Sequence, residues 1–362
     1  MCLKGYDKPM EKFGIYIHWP FCLSKCPYCD FSSTPCHIFN ENLLFKGYLR
    51  DLESLPARKI NSIFFGGGTP SMMSVKMLEK ILSSIEKKFI FSENIEISLE
   101  ANPDAIVSEK MKAFHSLGVN RLSMGVQALN DIDLKFLGRI HNLKTALKRI
   151  EEMHSVFDNC SIDLIYARPK QNIKAWEKEL DMALSFDLPH LSLYQLTIEE
   201  GTPFYKKGIE SADDSLAVDL YLTTFEKMEK NGLYLYEVSN FAKPTFECQH
   251  NLLYWQGDDY AGIGPASHGR LGLKATENPK KVDEWIKNGT LETILTEEER
   301  FEEKIIMGLR LKKGMSAKGI NSQKIKEAVL KGWLHFNEQN LWIEPTMEGL
   351  LVLNQLVLLL VS

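Results

Sequence analysis

The sequence predicts an α/β protein built on a partial (β/α)6 barrel, and two observations support this fold class. Apolar segments rich in β-branched residues alternate with amphipathic stretches, and six such βα units fit within residues 1–232. Polar and glycine residues also follow the ends of several predicted strands, which is where the functional face of a parallel barrel lies. Periodicity alone leaves a doubly wound open sheet as the competing architecture.

The predicted elements follow one another in regular order along this part of the chain. The strands are at about 13–18, 60–65, 95–100, 120–126, 161–166 and 190–196. The helices are at about 41–55, 75–88, 108–117, 143–156, 172–185 and 213–231, and the last ends before Asn231-Gly232, a helix-stop signal. This alternation predicts a parallel sheet with helices outside it.

Residues 233–295 are predicted to connect the barrel to a C-terminal module at 296–362. The connecting segment includes a glycine-rich stretch, 257–265, that we expect to close over or beside the barrel. Thr296 and Glu299 form a capping-box pattern that starts a long helix reaching about 312. A shorter helix near 323–331, a hairpin within 333–343 and a final helix then predict a winged-helix-like α+β module.

Composition narrows the classes of partner. The 362 residues are 44% hydrophobic and 25% charged, and the net charge of −5 gives no electrostatic reason to expect nucleic acid or an anionic membrane as a partner. The C-terminal module carries nine Lys or Arg and nine Asp or Glu, so its composition does not indicate a basic surface for binding phosphates either. The apolar run 350–361 is too short to span a bilayer. We expect a buried helix there, with a membrane-contacting surface as the alternative.

Three cysteines lie in one short loop directly after the first predicted strand, with the spacing Cys22-x-x-x-Cys26-x-x-Cys29. A four-iron cluster normally takes four thiolates, so three leave one iron open to a small molecule. The alternative is a zinc site, to which Cys36-His37 could add ligands, although no second C-x-x-C pair is present. Seven cysteines without a signal peptide argue against a disulfide framework and predict a reducing cytoplasm.

Residues after the next strands are candidates for binding a ligand beside this loop. The run Gly66-Gly67-Gly68-Thr69-Pro70 follows the second strand, and glycines let the backbone approach a ligand closely, although a plain tight turn is the alternative. Four further residues can form directed hydrogen bonds with the amino, carboxylate and hydroxyl groups of a ligand. They are Glu100, Gln127, Arg139 and Asp163. Each of them could also be an ordinary surface residue.

These motifs show a resemblance to the radical S-adenosylmethionine (SAM) superfamily, and to one branch of it, named below, the resemblance runs essentially end to end. It is carried by the segments Tyr16–Cys22, Gly66–Pro70, Glu100–Pro103, Arg121–Gln127 and Ile162–Tyr166. The resemblance implies that the three cysteines hold a 4Fe-4S cluster whose free iron chelates SAM. It also implies that SAM is bound by Tyr16, Gly67, Gly68, Thr69, Glu100, Gln127, Arg139 and Asp163.

Within this superfamily the chain is similar to the branch that contains the oxygen-independent coproporphyrinogen III oxidases and the HemW heme chaperones. Two departures from the oxidases favour the chaperones. Phe31 stands where the oxidases have a further cysteine, and only about a dozen residues precede the first strand, where the oxidases have a longer extension.

A third discriminating feature is the segment 250–255, which matches the H-N-x-x-Y-W motif of HemW proteins. The match implies heme contacts by His250, Asn251, Tyr254 and Trp255. A histidine can ligate heme iron, and aromatic rings can pack on a porphyrin face. The residues alone also allow a purely structural cluster, and Cys248 is either a second candidate ligand or a packed side chain.

The resemblance implies two functions of different classes. The first is a heme chaperone without catalytic residues, which binds heme, a 4Fe-4S cluster and SAM, takes an electron from a donor, and passes heme to respiratory acceptor proteins. The second is a coproporphyrinogen III oxidase of porphyrin biosynthesis, in which a SAM-derived radical drives decarboxylation. A zinc-stabilised α/β binding protein is the third and simplest alternative.

Overall fold

The structure, a computed structural model, describes residues 12–361. Residues 1–11 and Ser362, which belong to the predicted first and last segments, lie outside the described residues. The α/β class and the partial barrel are confirmed, because six parallel strands pair in chain order with helices between them.

The strands confirm the predicted rhythm and add several that the sequence pattern did not indicate. They are β1 Phe13–Trp19, β2 Phe21–Cys22, β3 Thr34–Pro35, β4 Lys59–Gly67, β5 Ile90–Ala101, β6 Arg121–Gln127, β7 Asn159–Tyr166, β8 His190–Gln195, β9 Tyr234–Glu237, β10 Asn240–Ala242, β11 Asp259–Ile263, β12 His268–Leu271, β13 Lys274–Glu277, β14 Leu291–Ile294, β15 Met315–Ser316, β16 Leu334–Asn337 and β17 Trp342–Pro345.

All six helices predicted for the barrel are present, with ends close to those expected. The helices are α1 Glu41–Ser54, α2 Val75–Lys88, α3 Ser108–Ser116, α4 Asp131–Phe136, α5 Leu143–His154, α6 Ile173–Leu184, α7 Pro203–Lys206, α8 Asp214–Lys230, α9 Gln249–Trp255, α10 Val282–Asn288, α11 Glu297–Gly308, α12 Ser322–Leu330, α13 Met347–Leu351 and α14 Leu353–Val361. A 3-10 turn at Pro70–Met72 follows β4.

Strand β5 starts earlier than predicted. Its first residues pair with the start of β4, with Ile90 opposite Lys59, before the register shifts. The polar run 92–94 interrupts the apolar pattern there, so the sequence indicated only the second half of the strand.

One mixed sheet of twelve strands organises the protein. Its order is β14-β13-β12-β11-β1-β4-β5-β6-β7-β8-β10-β9, and the strands from β11 to β8 are parallel. The predicted connecting segment, 233–295, thus contributes six strands to this sheet. Its glycine-rich stretch forms β11 and lies beside the barrel, against β1.

The two faces of the barrel strands differ in chemistry. One set of alternating side chains, such as Ile15, Leu99 and Leu122, joins the main hydrophobic core together with the inner faces of the surrounding helices. The other set is buried but polar, and its members bond to one another across strands, as Ser161 does with His190 at 2.7 Å. The barrel interior is therefore a polar chamber rather than an apolar core.

Asp51 of α1 ties the added strands to the barrel. Its buried carboxylate accepts hydrogen bonds from Gly264 N at 3.1 Å, Asn278 Nδ2 at 3.0 Å and Trp285 Nε1 at 2.8 Å. The other carboxylate oxygen accepts from Arg50 at 2.9 Å. The carboxylate thus satisfies buried donors from the loop after β11, the loop after β13 and α10.

The C-terminal module has a hydrophobic core of its own, built from α11, α12 and α14 and the three-stranded sheet β15-β17-β16. The predicted capping box of Thr296 and Glu299 begins α11. Arg310 joins the module to the barrel, since it pairs with Glu237 at 3.3 Å and lies over the ring of Trp255 at 4.5 Å. Within residues 12–361, no helix has the length and apolar character needed to cross a bilayer.

We expect Asp51→Ala to destabilise the apoprotein by about 3 kcal/mol, because it leaves several buried donors without an acceptor. Urea unfolding should show a lower midpoint with an unchanged slope. Asp283→Ala, an exposed change on α10, is the matched control and should leave the midpoint in place. A midpoint for Asp51→Ala equal to that of the control would contradict this account.

Candidate functional site

The cysteine loop is held in shape by backbone pairing at its two ends. Strands β2 and β3 pair in parallel across it, and Cys36 N donates to Cys22 O at 3.1 Å. Within the loop, Cys29 N donates to Cys26 O at 3.1 Å, and Lys25 Nζ donates to Phe31 O at 2.9 Å. The loop therefore presents its three thiols from a closed backbone frame.

His18 of β1 supports the loop from below. Its Nε2–H donates to Ser32 O at 2.8 Å, which leaves Nδ1 to accept from the hydroxyl of Tyr16 at 3.1 Å. The ring also packs against Gly67, where φ is +109° and a Cβ would lie 2.6 Å from the imidazole. Only glycine combines that backbone conformation with that close contact. The imidazole thus connects the cysteine loop to the glycine loop.

The three thiols fit an iron–sulfur cluster better than a zinc ion. Cys22 and Cys26 are 6% and 8% exposed, and burial raises the pKa values of Cys22 and Cys29. In residues 12–361, no three His, Cys, Asp or Glu side chains converge closely enough to hold a single metal ion. Cluster thiolates bind different irons and stand farther apart than zinc ligands do.

A cavity of about 340 Å³ opens beside the thiols, at the carboxyl ends of the barrel strands. All but one of the predicted SAM-binding residues line it together with the three cysteines: Gly67, Gly68, Thr69, Glu100, Gln127, Arg139 and Asp163. Tyr16 is the exception, because it lies one layer deeper, with its hydroxyl on His18. The volume suits a ligand of moderate size.

The cavity wall carries two carboxyl groups in a buried setting. Burial and then the charge of Asp163 raise the pKa of Glu100 to about 8, although Gly67 N donates to Glu100 Oε2 at 3.2 Å. Burial also raises the pKa of Asp163, which accepts from Ser123 at 3.0 Å. These groups favour a cationic or hydroxyl-bearing ligand, which would supply the charge or the donors that they lack.

Arg139 connects the thiols to the opposite wall of the cavity. Its guanidinium donates to Cys26 Sγ at 3.3 Å, Asn102 Oδ1 at 2.7 Å and Gly125 O at 2.9 Å. Asn102 in turn donates to Thr69 at 3.0 Å. A positive charge beside a thiolate favours the ionised form that iron requires.

The sequence prediction missed some of the residues that build this site. His18 and Asn102 stand inside segments that carried the superfamily resemblance, so the motifs contained them without singling them out. Tyr28, between the second and third cysteines, and Tyr194, at the end of β8, also line the cavity. Nothing in the local pattern marked Tyr194, because strand pairing alone brings β8 to this rim.

The segment 250–255 lies elsewhere, as helix α9 at the opposite end of the barrel interior. His250 is 1% exposed, and its Nδ1 and Nε2 are hydrogen-bonded to Ser62 at 2.7 Å and to Tyr254 at 2.8 Å. Its ring stacks on Phe64 at 5.2 Å, and Gly14 leaves the space that the ring occupies. In this conformation both ring nitrogens of His250 are engaged.

Glu96 fixes the start of α9. Its carboxylate accepts from Gln249 N at 2.9 Å, His250 N at 3.2 Å and the Cys248 thiol at 3.4 Å. Cys248 is fully buried, and burial raises the pKa of its thiol to about 12. Cys248 thus occupies the packed position that the sequence analysis left as one of its alternatives.

Comparison with known proteins places the chain in a family. Residues 16–183 match the model of the radical SAM superfamily. The heme chaperone HemW of Buchnera aphidicola (from Acyrthosiphon pisum) is 37% identical, over 79% of this chain and 77% of that protein. The Bacillus subtilis HemW is 34% identical, over 94% and 97%. The chain belongs to the HemW family of radical SAM proteins.

Other matches agree with this placement. The mitochondrial radical SAM domain-containing protein 1 of Danio rerio is 35% identical, over 84% of this chain and 74% of that protein. Coproporphyrinogen III oxidase from Escherichia coli has a similar fold, with a TM-score of 0.82, 18% identity and coverage of 96% and 90%. The predicted membership of the HemW branch is therefore confirmed, and the oxidase likeness concerns the fold.

For this HemW-family member we expect the stability of the apoprotein to fall as the pH drops below 6.5. Burial lowers the pKa of His250 from 6.5 to about 3, so between these values the unfolded chain binds a proton that the folded chain does not. His250→Asn should reduce this slope by up to about 1.4 kcal/mol per pH unit. Urea unfolding at a series of pH values between 3 and 6.5 measures this slope of the unfolding free energy.

The exposed His335 provides the control for that comparison. His335→Asn should leave the pH slope of the unfolding free energy equal to that of wild type, because the side chain of His335 is already exposed to solvent in the folded chain. A slope for His250→Asn that matches both would show that His250 is not buried as a neutral ring.

Proposed function

We propose that this chain is a cytoplasmic heme chaperone that binds heme, a 4Fe-4S cluster and SAM, and passes heme to respiratory acceptor proteins. One observation carries the proposal. In a member of the HemW family, the three thiols and seven predicted SAM-binding residues line one cavity at the barrel rim. The names of the HemW relatives supply the heme-handling part of the proposal.

In this proposal Cys22, Cys26 and Cys29 hold the cluster, and Arg139 supports the thiolate of Cys26. The closed loop sets the spacing of the thiols, and His18 and Lys25 hold its backbone. Bound together, the cluster and SAM supply one-electron chemistry at the sulfonium group. The chain's own contribution is to bind, orient and shield these groups.

The SAM-binding residues divide by chemistry. Gly67, Gly68 and Thr69 offer backbone groups to the methionine end, because the glycine loop leaves room beside the thiols. Glu100 in its ionised form accepts hydrogen bonds from the amino group, and Asp163 accepts from hydroxyl groups. Gln127 and Arg139 provide donors, and Tyr16 supports the glycine loop from the layer below through His18. In this role the cofactors control the state or release of heme.

The heme contacts implied for His250, Asn251, Tyr254 and Trp255 remain a prediction. For His250 to bind iron, its bond to Ser62 or to Tyr254 would have to break, and α9 would have to open toward solvent. The alternative role is structural. In that role His250 and Tyr254 close the barrel interior, while Trp255 packs on Arg310 and so holds the C-terminal module.

The second candidate function is coproporphyrinogen III oxidase, which the fold likeness to the Escherichia coli enzyme favours. Phe31, 62% exposed at the cavity mouth, stands where the oxidases have a further cysteine. We therefore prefer the chaperone function.

We expect the affinity for SAM to rise with pH up to about 8, because Glu100 must lose its proton to accept hydrogen bonds from the amino group of SAM. Binding below that pH should release a proton. Calorimetry in two buffers with different ionisation enthalpies measures both quantities. Glu100→Gln should weaken binding by about tenfold and reduce the proton release, whereas Glu200→Gln, an exposed change outside the lining of the cavity, should alter neither.

Anaerobic reconstitution distinguishes the two functions. We expect the reconstituted protein to bind hemin stoichiometrically and to form no protoporphyrinogen from coproporphyrinogen III with SAM and a reductant. The absorption spectrum and product analysis report the two results. Cys26→Ala, which removes one of the three thiols, should lower the iron content and serves as the cluster-deficient control. Turnover to protoporphyrinogen by the wild type would overturn the chaperone proposal.

A further inference from the structure

A second concavity lies on the outside of the barrel, next to the cysteine loop. We name it the His37 groove; it is lined by residues His37 to Asn42 and by Lys76, Met77 and Lys80 of α2, and it has a volume of about 890 Å³. Ile38 is 91% exposed there, and Met77 forms a buried floor. Ile38 is thus available for an apolar contact with a ligand that enters the groove.

The groove is lined by two lysines and by one carboxylate, that of Glu41. Both carboxylate oxygens of Glu41 accept hydrogen bonds from Ser74. One accepts from the backbone N of Ser74 at 2.7 Å, and the other accepts from the Oγ of Ser74 at 2.5 Å. Lys80 Nζ lies 3.3 Å from Asn42 Oδ1, and neither Lys76 nor Lys80 has an ionic partner among residues 12–361. The two lysines stand one helical turn apart on α2, so they can bind two carboxylates of one ligand.

His37 adds a donor that a metal can use. Its side chain is exposed and makes no hydrogen bond or ion pair to any residue that the structure describes. A groove that combines an exposed aliphatic residue, two lysines without an ionic partner and a free imidazole offers contacts that heme can use, since heme has apolar faces, two propionates and an iron that takes an axial histidine.

The groove adjoins the frame of the cysteine loop. His37 directly follows Cys36, whose N–H donates to Cys22 O at 3.1 Å. Phe39 stacks on Phe21, the residue before Cys22, with ring centroids 4.9 Å apart and planes inclined by 15°. A change in the conformation of the cysteine loop would therefore move the wall of the groove.

We propose that heme binds in the His37 groove, with His37 as an axial ligand and the propionates on Lys76 and Lys80. The proposal rests on the proposed chaperone function and adds a site to it. It places the heme next to the cysteine loop, so that the occupancy of the loop and of the SAM cavity can alter heme affinity through Cys36 and Phe39. It also leaves His250 in its buried role.

Titration of the reconstituted full-length protein with hemin tests this site. His37→Ala should weaken binding by about tenfold or more and change the Soret spectrum, because the axial ligand is lost. The matched control is His335→Ala, an exposed histidine of the C-terminal module, which should bind as wild type does. Unchanged iron content and cluster absorption in each variant show that the cysteine loop is intact.

A charge reversal provides an independent test. Lys76→Glu combined with Lys80→Glu should weaken hemin binding by about tenfold without removing the histidine-ligated spectrum. Lys318→Glu combined with Lys326→Glu makes the same change in net charge on the C-terminal module and should have no effect. Equal weakening by both pairs would mean that net charge alone governs binding, which overturns the proposed propionate contacts.

The outcomes separate this proposal from the proposed function. Failure of the wild type to bind hemin would reject the chaperone function, and the groove with it. If His37→Ala binds hemin as wild type does, the groove is rejected while the chaperone function stands. The same conclusion follows if His250→Ala loses the histidine-ligated spectrum with the cluster intact. Loss in His37→Ala but not in His250→Ala is the result that we expect.

Discussion

The parallel register of the barrel strands is the constraint on which the site depends. Trp19 pairs with Gly67, Glu100 with Ser123 and Gly125 with Asp163, so that the strands end at a common rim. Because parallel strands present their carboxyl ends at one edge, residues far apart in the chain meet there. The cysteine loop, the glycine loop and the two carboxyl groups are adjacent for this reason alone.

The same strands also enclose a polar interior, which has to satisfy its own hydrogen bonds. Ser161, His190 and Tyr236 form one bonded series, and Ser62, His250 and Tyr254 form another. Burying such groups without partners would cost several kcal/mol each. The helix α9 is therefore part of the barrel, because it supplies partners that the strands lack.

Strand β5 connects the two ends of this interior. Glu96 and Glu100 lie on the same face, four residues apart, and one caps α9 while the other lines the cavity at the rim. The C-terminal module attaches at the α9 end through Trp255, Arg310 and Glu237. The cavity beside the thiols and the attachment of the module are thus at opposite ends of the barrel, and the His37 groove lies at the cavity end.

The sequence by itself determined the six βα units and the cysteine loop, because strand and helix periodicity and cysteine spacing are local properties. It also indicated the cysteines and the polar residues that follow strand ends at the cavity, such as Glu100 and Asp163, although Tyr28, Asn102 and Tyr194 line the same cavity without having been singled out. Only the tertiary structure decided that 233–295 adds six strands to the same sheet, because those strands are short and their pairing is non-local. It likewise decided that His250 is buried between Ser62 and Tyr254 and that His37 is exposed, since burial depends on which strands and helices meet, and no local pattern records that.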